Sequence, residues 1–166
     1  MPRLVNNRKG AMEGMPLELL VLVIVMALAI PATWNFAEMY VRNQTENELV
    51  GELDSLVKLI GIVGGGEIGN KRMIEMDLEG HPLARIDYVK IGGSPGESSY
   101  LRYRINGGQE SLISLDGYHV SNFTRGTPST LDISGGVNRV VISRNGRIYQ
   151  GVEILDLSLI GGVDEK

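Results

Sequence analysis

Two glutamates beside the longest apolar run are the residues whose surroundings most demand chemistry. Glu13 and Glu18 precede residues 19–34, a stretch of sixteen residues without a charge. An ionised carboxylate inside an apolar helix costs several kcal/mol unless a cation pairs with it or it lies near a membrane interface. We therefore expect each glutamate either to be neutralised by a positive group or to lie at the lipid headgroups. Pro31, within the same run, removes a helical hydrogen bond and predicts a bend there.

The patterns that would indicate catalysis are missing from the rest of the sequence. The chain has no cysteine and two histidines, His81 in a predicted turn and His119 in a predicted strand. No disulfide or thiolate site can form, and no spacing of carboxylates indicates a metal site. No serine lies in the sequence context of a nucleophile elbow. We expect no enzymatic activity, no cofactor and no metal, and a structural role for both histidines.

One glycine pattern imitates a dinucleotide-binding fingerprint. Gly64, Gly66 and Gly69 satisfy G-x-G-x-x-G after an apolar run. The fingerprint requires a strand before it, a helix after it and further alternating β and α units. Only about ten residues separate Gly69 from the turn signal at Glu79 and Gly80, which is too short for a crossover helix and a returning strand. We expect no nucleotide to bind here.

The distribution of charge argues against nucleic acid as a partner. The chain has 166 residues, a size typical of one ordinary domain, and a net charge of −4. Arg3, Arg8 and Lys9 stand in the first ten residues without an acidic neighbour, and the remainder carries 13 basic and 20 acidic side chains. Nucleic-acid binding needs a basic footprint, which this acidic body lacks.

The apolar run predicts a membrane segment. With its mostly apolar flanks it reaches about 20 to 25 residues, enough to cross a hydrocarbon core of about 30 Å. Basic residues precede it, and none follows until Arg42. Lys and Arg favour the cytoplasmic side, so we expect a cytoplasmic N-terminus and an external location from about Asn35 onward.

Three fates are open to such a segment. A signal peptidase could cut after Ala29, where Ala27 and Ala29 form a small-x-small pattern, and release a soluble protein. The helix could instead remain as a permanent anchor. In the third case, cleavage occurs on the cytoplasmic side, before the apolar run.

The residues before the run favour the third fate. Arg8, Lys9 and Gly10 are followed by Ala11 and then by the apolar segment. This arrangement resembles the class III signal peptide of archaeal type IV pilin-like proteins, in which a prepilin peptidase cuts after a glycine preceded by two basic residues. The resemblance implies a leader of residues 1–10, a mature chain that begins at Ala11, and a helix kinked near Pro31. It extends over residues 8 to about 60.

That resemblance also implies a function. The chain would be a structural subunit of an archaeal type IV filament, assembled through its N-terminal helix, with its head exposed for adhesion or surface-layer contact. Its partners would be the membrane, the prepilin peptidase and further copies or other pilins. Glu13 or Glu18 would face the freed amino group of a neighbour. The carboxylate that these proteins usually carry five residues into the mature chain is absent, since Glu13 and Glu18 are the third and eighth residues.

Two other readings remain open. A membrane-anchored binding module, similar to an archaellum stator protein that contacts the surface layer, would keep residues 1–10 and would not polymerise. A soluble binding protein would be released by cleavage after Ala29.

Beyond the membrane segment the pattern stays helical as far as Val63. One face carries apolar residues at alternating spacings of four and three, and the glycine run that follows predicts the end of the helix. We expect a helix over residues 11–63 and a glycine-rich linker over residues 64–70. The apolar face consists of Leu49, Leu53, Leu56, Ile60 and Val63.

From residue 71 the texture changes to short alternating runs separated by turn dipeptides. Six to eight such runs predict a small antiparallel β-sandwich or barrel-like head over residues 71–160, followed by a solvated tail over residues 161–166. Asn145-Gly146, between two β-branched runs, predicts a tight hairpin. The expected fold is therefore α+β. Two sequons, at Asn43 and Asn122, are candidate N-glycosylation sites on the external side.

Overall fold

The computed structural model describes residues 9–124 and 126–160, with side-chain surroundings from residue 17 onward. These residues form one long helix and a mostly antiparallel head of two sheets, which confirms the predicted α+β class. The chain divides into two compact units, Met1–Tyr40 and Val41–Lys166, and the division falls within the helix. Residues 1–8 of the predicted leader and the predicted tail lie outside the described residues.

The helix, α1, runs from Lys9 to Gly64. Its end lies one residue beyond the predicted one, where the Gly65 N–H donates to the Gly61 carbonyl at 2.9 Å. The helix continues through Pro31, and the bend predicted there stays a prediction. Residues 65–70 then connect α1 to the first strand, close to the predicted linker.

Nine strands follow among the described residues and form two sheets. The five-stranded sheet has the spatial order β1 (Lys71–Asp77), β8 (Val137–Tyr149), β9 (Val152–Leu159), β5 (Val120–Thr124) and β6 (Thr127–Ser129). The four-stranded sheet has the order β4 (Ser111–Ser114), β3 (Tyr100–Ile105), β2 (Ile86–Ile91) and β7 (Leu131–Ile133). Neighbouring strands are antiparallel except β5 and β9, which are parallel and differ in this from the predicted arrangement.

The second part of α1 and both sheets share one hydrophobic core. All five residues of the predicted apolar face of the helix are buried, with exposed fractions of 0 to 2%. They cluster with Val140 and Ile142 of the five-stranded sheet and with Val89 and Ile91 of the four-stranded sheet. Fully burying such a side chain stabilises the fold by about 1.5–3 kcal/mol, so this stripe accounts for the helical conformation after residue 48.

The hairpin predicted at Asn145-Gly146 is wrong. β8 continues through both residues, and its register against β9 shifts between Ser143 and Arg147. A two-residue hairpin of type I′ needs positive φ at both positions, but here only Gly146 has it, which suits a bulge. The β8–β9 hairpin turns instead at Gln150 and Gly151, where φ is 52° and 84°.

Candidate functional site

The first described unit exposes an unbroken apolar surface. Every residue from 17 to 40, hereafter the apolar segment, is exposed. Leu28 and Ile30 leave 71% and 64% of their surface uncovered. At 1.5 Å per residue the segment is about 36 Å long. Soluble monomers rarely present so large an apolar surface to water, so the segment calls for lipid or protein around it.

By length and composition this helix can cross a membrane. Residues 19–37 contain no charged side chain, and Glu18 and Glu38 border them. Nineteen residues of helix rise about 28 Å, close to the thickness of a hydrocarbon core. The apolar segment is therefore the candidate functional site of the described chain.

Aromatic side chains gather at one end of the apolar segment. Trp34, Phe36 and Tyr40 are all exposed, at 59%, 68% and 70%. Trp and Tyr are enriched where a helix leaves the hydrocarbon, because their rings are apolar and their N–H or O–H groups reach water or headgroups. This end therefore has the composition of a membrane–water boundary.

The predicted assembly and cleavage residues are described only in part. Lys9, Gly10 and Ala11 lie within α1. Arg8 and the side chain of Glu13 lie outside the described residues. The other two predicted assembly residues, Glu18 and Pro31, are both exposed within the apolar segment. None of these roles is tested by the geometry, and each stays a prediction.

The two sequons lie in different surroundings. Asn43 is exposed on α1, whereas its sequon partner Thr45 is only 6% exposed. Asn122 is half-buried in β5, with Ser129 and Leu157 as its partners on the two flanking strands. The fold therefore leaves the acceptor amide of the first sequon much more open than that of the second.

The glycines of the imitated fingerprint have a packing role. Gly64 is the last residue of α1, so no strand precedes the pattern, and a strand rather than a helix follows it. A Cβ at Gly64 would overlap the ring of Tyr118, and one at Gly61 would touch it at 3.8 Å. The glycines thus let an aromatic ring pack directly on the helix backbone. The sequence gives no sign of this pairing, because the residues are more than 50 positions apart.

Arg144 ties the end of α1 to the five-stranded sheet. Its Nη1 donates to the Gly66 carbonyl, and its Nε and Nη2 donate to the two carboxylate oxygens of Glu153 at 2.7 and 2.8 Å. These hydrogen bonds hold the pKa of the Glu153 carboxyl below its ordinary value. The arrangement is a structural clasp that sequence analysis did not identify.

Tyr103 makes a second polar tie between the helix and a sheet. Its hydroxyl donates to Oε1 of Glu46 at 3.2 Å, and burial raises the pKa of the phenol. Only 6% of Tyr103 is exposed, so its polar group needs this partner. The contact therefore fixes the position of α1 against β3.

The two histidines make local hydrogen bonds. Nδ1 of His81 accepts from the Leu83 N–H at 3.2 Å. Nδ1 of His119 lies 2.8 Å from Oγ of Ser98, which also donates to the Pro95 carbonyl at 3.0 Å. With its proton on Pro95, Ser98 accepts from His119, which is the reverse of an activated nucleophile, and Ser98 is completely buried. This pair therefore stabilises a turn rather than performing hydrolysis.

Metal ligands do not converge in the described part of the chain. No group of three or more His, Cys, Asp or Glu side chains there could hold a metal ion. The apolar segment thus remains the feature most in need of a functional explanation. Comparison of the chain with family models, curated proteins and solved structures finds no match.

Proposed function

We propose that this chain is a membrane-inserted, pilin-like subunit that assembles through its N-terminal helix, with its β head on the outer side of the membrane. One observation carries the proposal: every residue from 17 to 40 is exposed, whereas the apolar stripe from Leu49 to Val63 is completely covered. A helix that has filled its need for burial in one part and left it open in another requires a second environment for the open part.

Lipid is the first environment of the apolar segment in this proposal. The basic residues Arg8 and Lys9 hold the N-terminus in the cytoplasm, and Trp34 and Tyr40 mark the outer boundary. The acidic body then follows on the external side. Cleavage after Gly10 by a prepilin peptidase leaves Ala11 as the mature N-terminus, in keeping with the resemblance of this region to class III signal peptides.

Neighbouring subunits are the second environment. After cleavage the apolar segment exchanges lipid for the helices of other copies and forms the centre of a filament. Glu13 and Glu18 neutralise freed amino groups there, and the head contacts the surroundings or a surface layer. Because lipid is as apolar as a leucine-rich helix, close packing and polar pairing direct this exchange.

The mature N-terminus tests the proposal directly. Mass spectrometry of the protein from membranes and from sheared surface fractions should find Ala11. A Gly10→Val variant should stay uncleaved, and the matched Gly14→Val variant, without basic neighbours before it, should be processed normally. Electron microscopy of the sheared fraction should then show filaments.

The other termini identify the competing functions. An intact Met1 or Pro2 on the surface-exposed protein would contradict the subunit proposal and favour a permanently anchored binding module. A terminus at Ile30 would indicate a secreted protein cut by an ordinary signal peptidase.

A further inference from the structure

The apolar segment contains two polar side chains near its outer end, and the structure treats them differently. Oγ1 of Thr33 lies 3.0 Å from the Ala29 carbonyl and 2.9 Å from the Ile30 carbonyl, so its hydroxyl is satisfied within the helix. The Asn35 amide is exposed, and no described residue hydrogen-bonds to it. Thr33 is thus compatible with lipid as it stands, and Asn35 is not.

Pro31 adds an unpaired backbone acceptor to the same segment. Proline has no N–H, so the carbonyl of Ala27, four residues earlier, loses its helical partner. The Thr33 hydroxyl is directed to Ala29 and Ile30 and does not replace that partner. A backbone acceptor without a donor is costly in hydrocarbon, where no water can substitute.

These unpaired groups share one side of the helix. Successive residues of an α-helix rotate by about 100°, so Ala27 and Asn35 lie within about 40° of Pro31. We call Ala27, Pro31 and Asn35 the polar face. Ala29 and Thr33 lie about 160° away from it, on the side whose polar groups are satisfied.

We propose that the polar face packs against the polar face of a second copy of this chain. The inference rests on the proposed function, in which the apolar segment lies in a membrane. An amide both donates and accepts, so two copies of Asn35 can satisfy each other. In a neighbour shifted by eight residues, about 12 Å, Asn35 donates to the open carbonyl of Ala27 instead. Ala27 and Pro31 are small enough to let the two backbones approach closely.

A matched pair of cysteine variants tests this contact. The chain has no native cysteine. Ala27→Cys and Ala29→Cys introduce a label at two exposed alanines of nearly equal depth on opposite sides of the helix. The full chain, labelled with bimane, is reconstituted in phosphatidylcholine vesicles that contain a doxyl-labelled lipid as quencher. At a high protein-to-lipid ratio we expect about twofold less quenching at position 27 than at position 29.

Dilution identifies the partner. If a second copy covers the polar face, the difference between the two labels should disappear when excess lipid separates the chains. A difference that persists at high dilution would overturn the inference, because the chain would then be covering its own face.

A second pair of variants tests the role of the amide. In the Ala27→Cys background, Asn35→Leu should raise quenching to the level seen at position 29, whereas Thr33→Val should leave it low. An equal effect of both substitutions would contradict the assignment of Asn35. Equal, strong quenching at positions 27 and 29 in the parent variants would overturn this inference alone. Absence of quenching at both would place the segment outside the membrane and overturn the proposed function as well.

Discussion

The two parts of α1 solve the same problem of apolar burial in opposite ways. In residues 41–64 the apolar side chains follow one stripe, and the core of the head covers them. In residues 17–40 apolar side chains surround the helix and all of them are exposed. A one-sided stripe specifies a packing partner within the same chain, whereas an all-round apolar surface specifies a solvent. The comparison teaches that a single helix can encode two environments by the distribution of its apolar residues alone.

Removal of one leucine from each part should give the largest contrast. Leu56→Ala deletes a completely buried side chain and should lower the free energy of unfolding of the head by about 2–5 kcal/mol, through lost burial and the cavity left behind. Leu22→Ala, at a residue 50% exposed, should leave that free energy unchanged. Urea unfolding of the full chain in detergent micelles, followed by near-UV circular dichroism, measures both. Equal losses would contradict the division of roles.

A charge placed in each part should separate them by membrane affinity. Val25→Lys puts a cation near the middle of the apolar segment and should disfavour insertion by about 2.5–3.5 kcal/mol. Val50→Lys, at an exposed valine of the second part, should not change insertion. The fraction of each variant that stays with membranes after alkaline carbonate extraction is the measurement. Full retention of Val25→Lys would show that the segment does not lie in lipid.

Two glycines sharpen the comparison within the packed part. Gly64→Ala forces a Cβ into the ring of Tyr118 and should destabilise the head by about 1–3 kcal/mol. At Gly51 an added Cβ meets nothing within 4 Å, so Gly51→Ala should stabilise the helix by about 0.5–1 kcal/mol. Thermal unfolding of both variants beside the parent chain gives the two signs. Opposite shifts are required, and a stabilising Gly64→Ala would disprove the tight contact.

Acid should weaken only the packed part, and by the smallest amount. The folded-state pKa of Glu153 lies below its unfolded value, because Arg144 donates to the carboxylate. This contribution to stability is present above the ordinary carboxyl pKa of 4.5 and is lost as the pH falls through the lower folded value. The stability difference between the parent chain and Glu153→Gln should therefore shrink between pH 6 and pH 3, within about that range of carboxylate titration. A difference that is independent of pH would exclude this cause.

Periodicity made the helix and its core face predictable. The stripe ending at Val63 and the glycine run after it are local signals, and the structure confirms them. The turns at Asn106-Gly107 and Asp116-Gly117 were likewise marked by dipeptides that tolerate positive φ. Local chemistry of this kind is visible in any short window of sequence.

Pairings across the fold were not predictable in the same way. Asn145-Gly146 has the composition of a turn, but the hairpin formed five residues later, because register along the whole β8–β9 pair outweighs a local preference. The contact between Gly64 and Tyr118 depends on residues distant in sequence, as does the clasp of Arg144 on Gly66. The cleavage and assembly residues of the candidate site rest on sequence resemblance, and their roles remain predictions.

The position of β9 has a consequence for the order in which the head can fold. β9 lies between β8 and β5 in the five-stranded sheet, although it follows both of them along the chain. Until β9 has been synthesised, β5 and β6 have no bridge to β1 and β8, and the sheet exists only as two separate halves. A chain that crosses a membrane while it is being made would therefore deliver an unfinished head to the outer side, where closure of the sheet by its last strand completes folding.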